Sequence, residues 1–501
     1  MGTMEPKVTL STLSIMGKAK KNPLVPILIL ALVLRIGYVF FRYPLWWDSH
    51  VYINIGKYIF SGGMLGLWES FRPLLHPLLL GAVWKLGLSP FIVGKFFDVL
   101  FCVLAVYVLY LVAYPLFGRK IAAGSALLFS LTPVFIILAG MILADPLALL
   151  LGLLGIYVLL GDIFSLQQCH PARLFFGGLL LGLSFMTRFP YGIWFGGVFL
   201  AYLFAREGWE LKLKRLLLLT GGFVIPVIPY LVLNLRLYDN LFLPFVVGNE
   251  VVGTATWMYG SGVWFYFISF FLVNSAYLFF FWYLFTFIRR GLWDEPGKLV
   301  VVLVPVLTIL YFLTVPRKEV RYMVVALPFL AMGAVAGISA VMRVIQRQER
   351  PVLTRKGMLT IVCILVLLPL PTAVYIERAP TFTQELEQVM RDYNVSGPLL
   401  VSDPSFVSSF DRRIITLDGM EYAPTIYEQQ RRVYGLLFVN DCDLLCAPGD
   451  GACEAKRRAL LGTMALENKE IFRKSFYFLV GKRTCNYTMY VPKDIARGIL
   501  K

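Results

Sequence analysis

The sequence predicts a polytopic α-helical membrane protein with a small α/β domain at its C-terminal end. Apolar runs long enough to cross a bilayer recur from residue 24 to residue 375. The chain is 58% hydrophobic and 15% aromatic but only 15% charged, with a mean hydropathy of +0.73, beyond what a soluble domain of 501 residues carries. Past residue 376, charged residues rise and the apolar runs shorten to strand length.

The basic residues set the orientation. A net charge of +17 would suit nucleic acid if it formed one stripe, but the cations fall in short clusters between apolar runs, as in cytoplasmic loops, and no nucleic-acid partner is implied. Lys18, Lys20 and Lys21 precede the first apolar run at 24–41, and no small-residue cleavage site follows it, so the run reads as a retained anchor with a cytoplasmic N-terminus. Keeping Arg119/Lys120, Arg173, Arg206 to Arg215, Arg289/Arg290 and Arg343 to Lys356 inside requires further spans near 91–117, 121–143, 146–163, 174–189, 190–205, 216–236, 263–288, 298–315, 322–342 and 358–375. That makes about eleven spans, an odd number, which leaves the C-terminal stretch outside. The run at 74–88 is then a helix too short to span, since about 15 residues reach only about 22 Å of a core about 30 Å thick. Residues 49–60 also read as a helix in the outer interface, with Val51, Tyr52, Ile55, Tyr58 and Ile59 on one face and Asn54 and Lys57 opposite. A membrane domain at 1–375, with a helical first external loop at 42–90, and a soluble extracytoplasmic domain at 376–501 are expected.

In the C-terminal domain, Leu399–Val401, Ile414–Leu417, Leu436–Val439 and Phe476–Val480 have strand character and alternate with helix-like stretches. Cys442, Cys446, Cys453 and Cys485 lie there, whereas Cys102 and Cys363 fall in spans and Cys169 in a cytoplasmic loop. Disulfides among the first four fit an oxidising outer face, with the connectivity open. Zinc is the rival reading, but the spacing matches no common structural site and no histidine lies nearby. Asn394-Val-Ser396 and Asn486-Tyr-Thr488 are glycosylation sequons in the same domain.

Polar residues collect at the external ends of the spans. The first loop carries Trp46-Trp47-Asp48-Ser49-His50 and, later, Arg72-Pro73-Leu74-Leu75-His76-Pro77. The second offers Asp145-Pro146, and the turn before the span at 322–342 reads Arg317-Lys318-Glu319-Val320-Arg321-Tyr322. Arg188 adds a cation at the outer end of the span at 174–189, where the positive-inside bias disfavours one. Plainer readings exist: Asp48 and Asp145 as helix N-caps, the latter with proline at N1, His76 as interfacial packing, and the 317–321 turn as solvated or touching anionic lipid.

These residues carry a resemblance. Asp48-Ser49-x-x-Tyr52, then Ile59-x-Ser61-Gly62-Gly63, then Arg72 to Leu78 resembles the long first external loop of the GT-C glycosyltransferases that use polyprenyl-phosphate sugars, namely the protein mannosyltransferase and aminoarabinose transferase relatives. Leu143 to Leu147, Gly178 to Arg188 and Asn234-x-x-x-Tyr238-Asp239-Asn240 match further, and Lys318-Glu319-Val320-Arg321-Tyr322 is similar to the His-Lys-Glu-x-Arg-Phe motif of lipid-linked mannosyltransferases. The chain departs from those patterns where Ser49 replaces a glutamate and Arg317 a histidine. The resemblance implies a GT-C-like membrane fold, a polyprenyl (dolichyl) phosphate-linked sugar donor, a glycan, lipid or protein acceptor, and transfer on the extracytoplasmic face of the cell membrane; a single carboxylate acting on one face implies direct displacement and inversion.

The residue types fit that chemistry. Transfer needs a base for the acceptor hydroxyl, cations for the departing phosphate and an apolar groove for the lipid. Asp48 is the candidate base and Asp145 the candidate second acid. Arg72, His76, Arg188, Lys318, Glu319, Arg321 and Tyr322 form the candidate donor and substrate set. No cofactor is expected: a divalent cation bridging Asp48 and Asp145 is the alternative, although one carboxylate per loop grips such an ion weakly. A transporter or flippase of lipid-linked glycans would instead place its ionisable residues at mid-membrane on broken helices, often in two similar halves.

Overall fold

Every run expected as a span holds helix in the computed structural model, which describes residues 23–40, 45–164, 170–254, 256, 259–346, 354–373, 382–478 and 483–493. The Lys18–Lys21 cluster, Cys169 and part of the 343–356 cluster lie outside the described residues. The membrane bundle begins with α1 (Leu24–Phe40), after which the first loop forms α2 (Trp47–Phe60) and α3 (Leu75–Lys85). The chain continues through α4 (Pro90–Phe117), α5 (Arg119–Leu131), α6 (Pro133–Ile137), α7 (Asp145–Phe164), α8 (Pro171–Thr187), α9 (Gly192–Phe204) and α10 (Trp209–Tyr238). It then forms α11 (Leu243–Gly253), α12 (Phe279–Arg290), α13 (Pro296–Thr314), α14 (Leu327–Gln346) and α15 (Arg355–Leu367). Of these, α4, α10, α13 and α14 are individually long and apolar enough to cross a bilayer.

Two expected spans are broken. The α5–α6 pair bends by 65°, where Pro133 cannot continue the helical hydrogen bonding. The run at 263–288 passes through a π-helical turn at Phe267–Leu272 and a 3-10 turn at Ser275–Leu278 before α12 begins. The Thr132 hydroxyl meets the Tyr277 hydroxyl at 2.6 Å, so the two irregular stretches share a polar contact inside protein, where non-helical backbone is tolerated at membrane depth. Elsewhere, Gly178 and Gly182 of α8 and Gly222 of α10 press backbone to backbone, leaving no room for a Cβ. This is the small-residue packing that holds helices together in lipid.

The C-terminal residues form a five-stranded sheet ordered β2-β1-β3-β5-β4, from β1 (Leu399–Val401), β2 (Ile414–Thr416), β3 (Leu436–Asn440), β4 (Asn468–Phe478) and β5 (Arg483–Pro492). β1 runs parallel to β2 and β3, while β5 pairs antiparallel with β3 and β4. The two-residue period of the strands divides the core. Leu400, Leu437 and Val439 point toward Tyr427 of α17 (Ala423–Gln430) and toward Leu460 and Met464 of α18 (Gly451–Glu467). Leu399, Val401, Leu436 and Phe438 point the other way, toward Leu386 of α16 (Thr383–Asp392). Cys442 pairs with Cys485 and Cys446 with Cys453, as expected of that domain. The sequon at Asn394 is exposed, but the Asn486 amide donates to Asp441 at 2.7 Å.

The first loop corrects the expectation of an interfacial helix. Every residue of α2 from Asp48 to Lys57 is buried, including Asn54 and Lys57, which were assigned to a polar outer face. Val51 and Ile55 pack into the sheet core beside Leu399 and Val401, while Tyr52 and Ile53 belong to the bundle core, so the helix is apolar on two sides and is shared by both parts of the protein. Two of its polar residues, Lys57 and His50, find partners in the protein. Lys57 donates to the carbonyls of Ser408 and Phe410 and pairs with Asp411 at 2.8 Å, and His50 Nδ1 meets the Ser408 hydroxyl at 2.6 Å. Farther on, the Gly66 amide donates to Arg412 O and its carbonyl accepts from Ile414 N, each at 2.8 Å, so the loop adds one bridge to the β2 edge. The backbone there has φ +72°, which glycine alone adopts without strain. As expected, α3 is too short to span: its 11 residues reach about 16 Å.

The α2–α3 crossing rests on two glycines. A Cβ on Gly56 would lie 2.6 Å from Pro77 O, and one on Gly81 would lie 2.6 Å from Gly56 O. Gly56→Leu is expected to cost roughly 1–3 kcal/mol and to lower the melting temperature of the detergent-solubilised protein. Gly37→Ala, where nothing stands within 4 Å, should leave the melting temperature unchanged or raised.

Burial pushes the imidazoles of His50 and His76 down to about 4, against the backbone of Leu45 and Ile142 respectively. Between pH 6.5 and 4 the unfolded chain then binds protons that the folded chain refuses, so stability falls as pH drops through that window, by on the order of 3 kcal/mol per histidine at most. Melting curves of the wild type and of His50→Gln/His76→Gln between pH 7.5 and 4 should diverge, the variant showing the flatter dependence. A wild-type melting temperature that does not change across this window would contradict the burial of neutral imidazoles.

Candidate active site

Five segments distant in sequence meet at one end of the bundle. Asp48 lies in the first turn of α2, Arg72 follows the loop ahead of α3, Asp145 opens α7 beside Arg188 at the end of α8, and Arg321 stands on the 3-10 turn Val320–Val325 that leads into α14. Asp48 is bracketed by cations, with Oδ1 2.9 Å from Arg72 Nη2 and Oδ2 2.7 Å from Arg321 Nη1. Each arginine also holds a glutamate: Arg72 Nε is 2.9 Å from Glu69, and Arg321 Nε is 2.5 Å from Glu319. Alongside, Asp145 pairs with Arg188 at 2.5 Å. The guanidinium of Arg72 lies over the Tyr52 ring at 5.5 Å and that of Arg321 over Trp46 at 5.2 Å, so aromatic faces hold both cations in place.

Helix capping does not account for either aspartate. The N-cap position of α2 is Trp46, with no side-chain cap, and the Asp48 carboxylate turns to the arginines instead. Asp145 is 1% exposed and directs its carboxylate to Arg188. Burial pushes the Asp48 carboxyl up, but Arg72 and Arg321, with Arg188 behind them, outweigh it and hold the group well below the usual carboxylate range. It is fully ionised at neutral pH.

The remaining candidates divide. Glu319 bridges Arg321 and Arg317, the latter at 2.6 Å, and so fixes the turn. Tyr322 stacks on Phe312 at 4.6 Å and donates to Glu319 at 3.4 Å, one contact removed from Asp48. Lys318 does not join the cluster. Its ammonium donates to Phe312 O, Leu313 O and Val315 O at 3.0–3.2 Å, capping the last carbonyls of α13. His76 is not an ionic partner of Arg72: it is neutral, buried and edge-on to Tyr52, with ring centroids 5.3 Å apart. Two groups escape a reading of sequence alone. Glu69, in an ordinary-looking loop, is the second partner of Arg72, and its spacing of three residues from the arginine was the available signal. Asp98 is an acid inside the apolar run of α4, itself a signal that this position is not plain lipid-facing helix. Among the described residues, no group of three or more His, Cys, Asp or Glu side chains is arranged to hold a metal ion.

Comparison with known proteins places this geometry in a fold. The sequence profile of the family described as dolichyl-phosphate-mannose-protein mannosyltransferase matches residues 71–233, from the site's Arg72 through Asp145 and Arg188 to α10. No curated protein matches the chain at the level of sequence. Among solved structures, ArnT from Cupriavidus metallidurans, in a crystal structure bound to undecaprenyl phosphate, aligns over 93% of this chain and 97% of its own, with a TM-score of 0.61 at 15% identity. The archaeal oligosaccharyltransferase AglB from Archaeoglobus fulgidus, in complex with an inhibitory peptide and a dolichol-phosphate, aligns over 93% of this chain and 74% of its own, with a TM-score of 0.59 at 11% identity. The arabinofuranosyltransferase AftD from Mycobacteria aligns over 93% and 40%, with a TM-score of 0.51 at 13% identity. The chain is a membrane protein with the GT-C fold.

Proposed function

We propose that this protein is an inverting glycosyltransferase that moves a sugar from a polyprenyl phosphate to an acceptor hydroxyl at the extracytoplasmic face of the membrane. One observation carries the reading: a single ionised carboxylate, Asp48, lies between two guanidiniums on a shared polar edge of an apolar bundle. The solved structures of like fold that hold undecaprenyl phosphate or dolichol-phosphate support the donor class, and the matched mannosyltransferase profile favours a hexose of the mannose type.

In this reading Arg72 and Arg321 receive the donor phosphate. Arginine suits the task because its planar fork can give two hydrogen bonds to one phosphate. A phosphate drawing on these guanidiniums loosens their hold on Asp48 and raises the proton affinity of its carboxylate. Asp48 then takes the proton of the acceptor hydroxyl as that oxygen attacks the anomeric carbon. The bond from that carbon to the phosphate oxygen breaks with its electron pair, and the polyprenyl phosphate departs with its new charge facing the same arginines. One displacement inverts the anomeric centre, unlike the paired-carboxylate route to retention. Asp145, held by Arg188, orients the acceptor. Because each acid of the cluster already has a guanidinium partner, the arginines supply the charge stabilisation and no divalent cation is assigned a role.

Purified protein incubated with radiolabelled polyprenyl-phosphate sugar and membrane acceptors should yield labelled acceptor. Asp48→Asn should abolish transfer yet bind donor at least as tightly as the wild type, because removing the carboxylate leaves both arginines to the phosphate. Arg321→Ala should weaken donor use about ten- to a hundred-fold, and Arg321→Lys should recover only part of that. Substantial turnover by Asp48→Asn would remove it as the base, and an unaltered donor dependence in Arg321→Ala would move the phosphate site elsewhere. Sidedness has its own test. A cysteine introduced at residue 403, 420 or 470 should react with a membrane-impermeant thiol reagent from outside intact cells, and one at 210 should not. The opposite pattern would place Asp48 on the cytoplasmic side and defeat the extracytoplasmic assignment.

A further inference from the structure

We propose that Asp98 is a positioning residue for Asp145, acting through the backbone of the segment that connects them; this rests on the role given to Asp145 above. Asp98 is fully buried within α4, and its Oδ2 accepts the Ile142 amide hydrogen at 2.6 Å. Ile142 has φ +52°, in the left-handed region that β-branched residues avoid most strongly, because the branched Cβ crowds the backbone carbonyl. Such a conformation persists only where the surroundings over-determine it, and here they do. The Ser49 hydroxyl donates to Met141 O from α2, and Gly94 of α4 leaves the space into which Ile142 packs: a Cβ on Gly94 would lie 2.8 Å from Ile142 Cγ2. All residues from Met141 to Asp145 are buried.

The turn reverses the chain between the 3-10 turn Leu138–Gly140 and α7, and Asp145 is the first residue after it. Its pairing with Arg188 therefore depends on where residues 141–144 are held. Asp98 holds the segment at Ile142 from α4, and Ser49, next to the candidate base Asp48, holds it at the neighbouring Met141 from α2. The two acids of the site are thus linked through one strained turn. A carboxyl group buried in an apolar helix is costly to keep, and this contact supplies its reason.

Asp98→Asn keeps an acceptor oxygen for the Ile142 amide, whereas Asp98→Leu keeps volume and removes the acceptor. Under the proposal Asp98→Leu lowers turnover by roughly a hundred-fold at unchanged donor KM, while Asp98→Asn stays within a few-fold of the wild type. Hydrogen exchange over residues 141–146, which needs no substrate, should accelerate in Asp98→Leu and not in Asp98→Asn. Because Asp98 acts through Asp145, Asp98→Leu/Asp145→Asn should be no slower than Asp145→Asn alone. Equal losses in Asp98→Asn and Asp98→Leu, multiplicative losses in the double variant, or unchanged exchange in Asp98→Leu would each overturn the assignment. Should Asp98→Leu fail to fold, Ser49→Ala tests the same turn: faster exchange over 141–146 and no further loss on Asp145→Asn support the proposal, and the reverse sinks it. If the wild type transfers no sugar, the functional reading fails while the exchange measurements still judge the turn.

Discussion

A carboxylate removed from water must find a cation, and here one carboxylate has two. Asp48 is 9% exposed, and the desolvation that would otherwise neutralise it is overcome by Arg72 and Arg321. These partners come from opposite ends of the membrane domain, with Arg321 standing 273 positions after Asp48. Burying Asp48 without them would leave an isolated charge in a low-dielectric setting, and burying either arginine without Asp48 would do the same. The packing of α2, the loop ahead of α3 and the turn ahead of α14 is therefore satisfied together or not at all. Glu69, Glu319, Asp145 and Arg188 extend the requirement, so that acids and bases at this end of the bundle are matched one against another.

The same helix that carries Asp48 is the wall between the bundle and the sheet. Val51 and Ile55 serve the sheet core and Tyr52 and Ile53 the bundle core, and Lys57 reaches across to the 408–411 loop. Neither neighbour can shift by much without moving the first turn of α2, because side chains on both faces are packed and the Gly56–Gly81 crossing leaves no slack on the α3 side. The C-terminal sheet thus bears mechanically on the site through the backbone of α2 and through the Gly66 bridge to the β2 edge. An amphipathic pattern that looks interfacial in sequence is the pattern of a helix between two protein surfaces.

What could be read from sequence follows from which forces are local. Helices in the apolar runs were legible because apolar length is written contiguously, and the breaks at Pro133 and Asn274 were not, because proline inside a span is common and asparagine carries no helix-breaking signal of comparable strength. Strands β1, β2 and β3 were legible from short apolar runs, whereas β5 (Arg483–Pro492) was missed because Thr484, Asn486 and Thr488 interleave its buried residues. Asp48, Arg72, Asp145, Arg188 and Arg321 stood out as charges on the side where few cations belong, and the structure brings them together. Lys318 had the same signature and a different task, since nothing in sequence separates a lysine that caps its own helix from one that faces a ligand. Asn54 and Lys57 were placed on a wet face because their partners, His50 O and the 408–411 loop, include residues about 350 positions away.

Charge matching at the site also constrains the order of events. With both oxygens of Asp48 engaged by guanidiniums, its carboxylate sits too far below the usual range to draw a proton from a hydroxyl efficiently. An anion arriving at Arg72 and Arg321 competes for the same N–H donors, and whatever share of them it takes is lost to Asp48. In the proposed reaction the base is therefore weakest when the site is empty and strongest when a phosphate is seated, which would couple proton abstraction to donor occupancy without a moving domain. Under the proposed function, water entering an empty site meets a carboxylate whose oxygens the two arginines already hold, so the contacts that hold the fold also restrain futile chemistry.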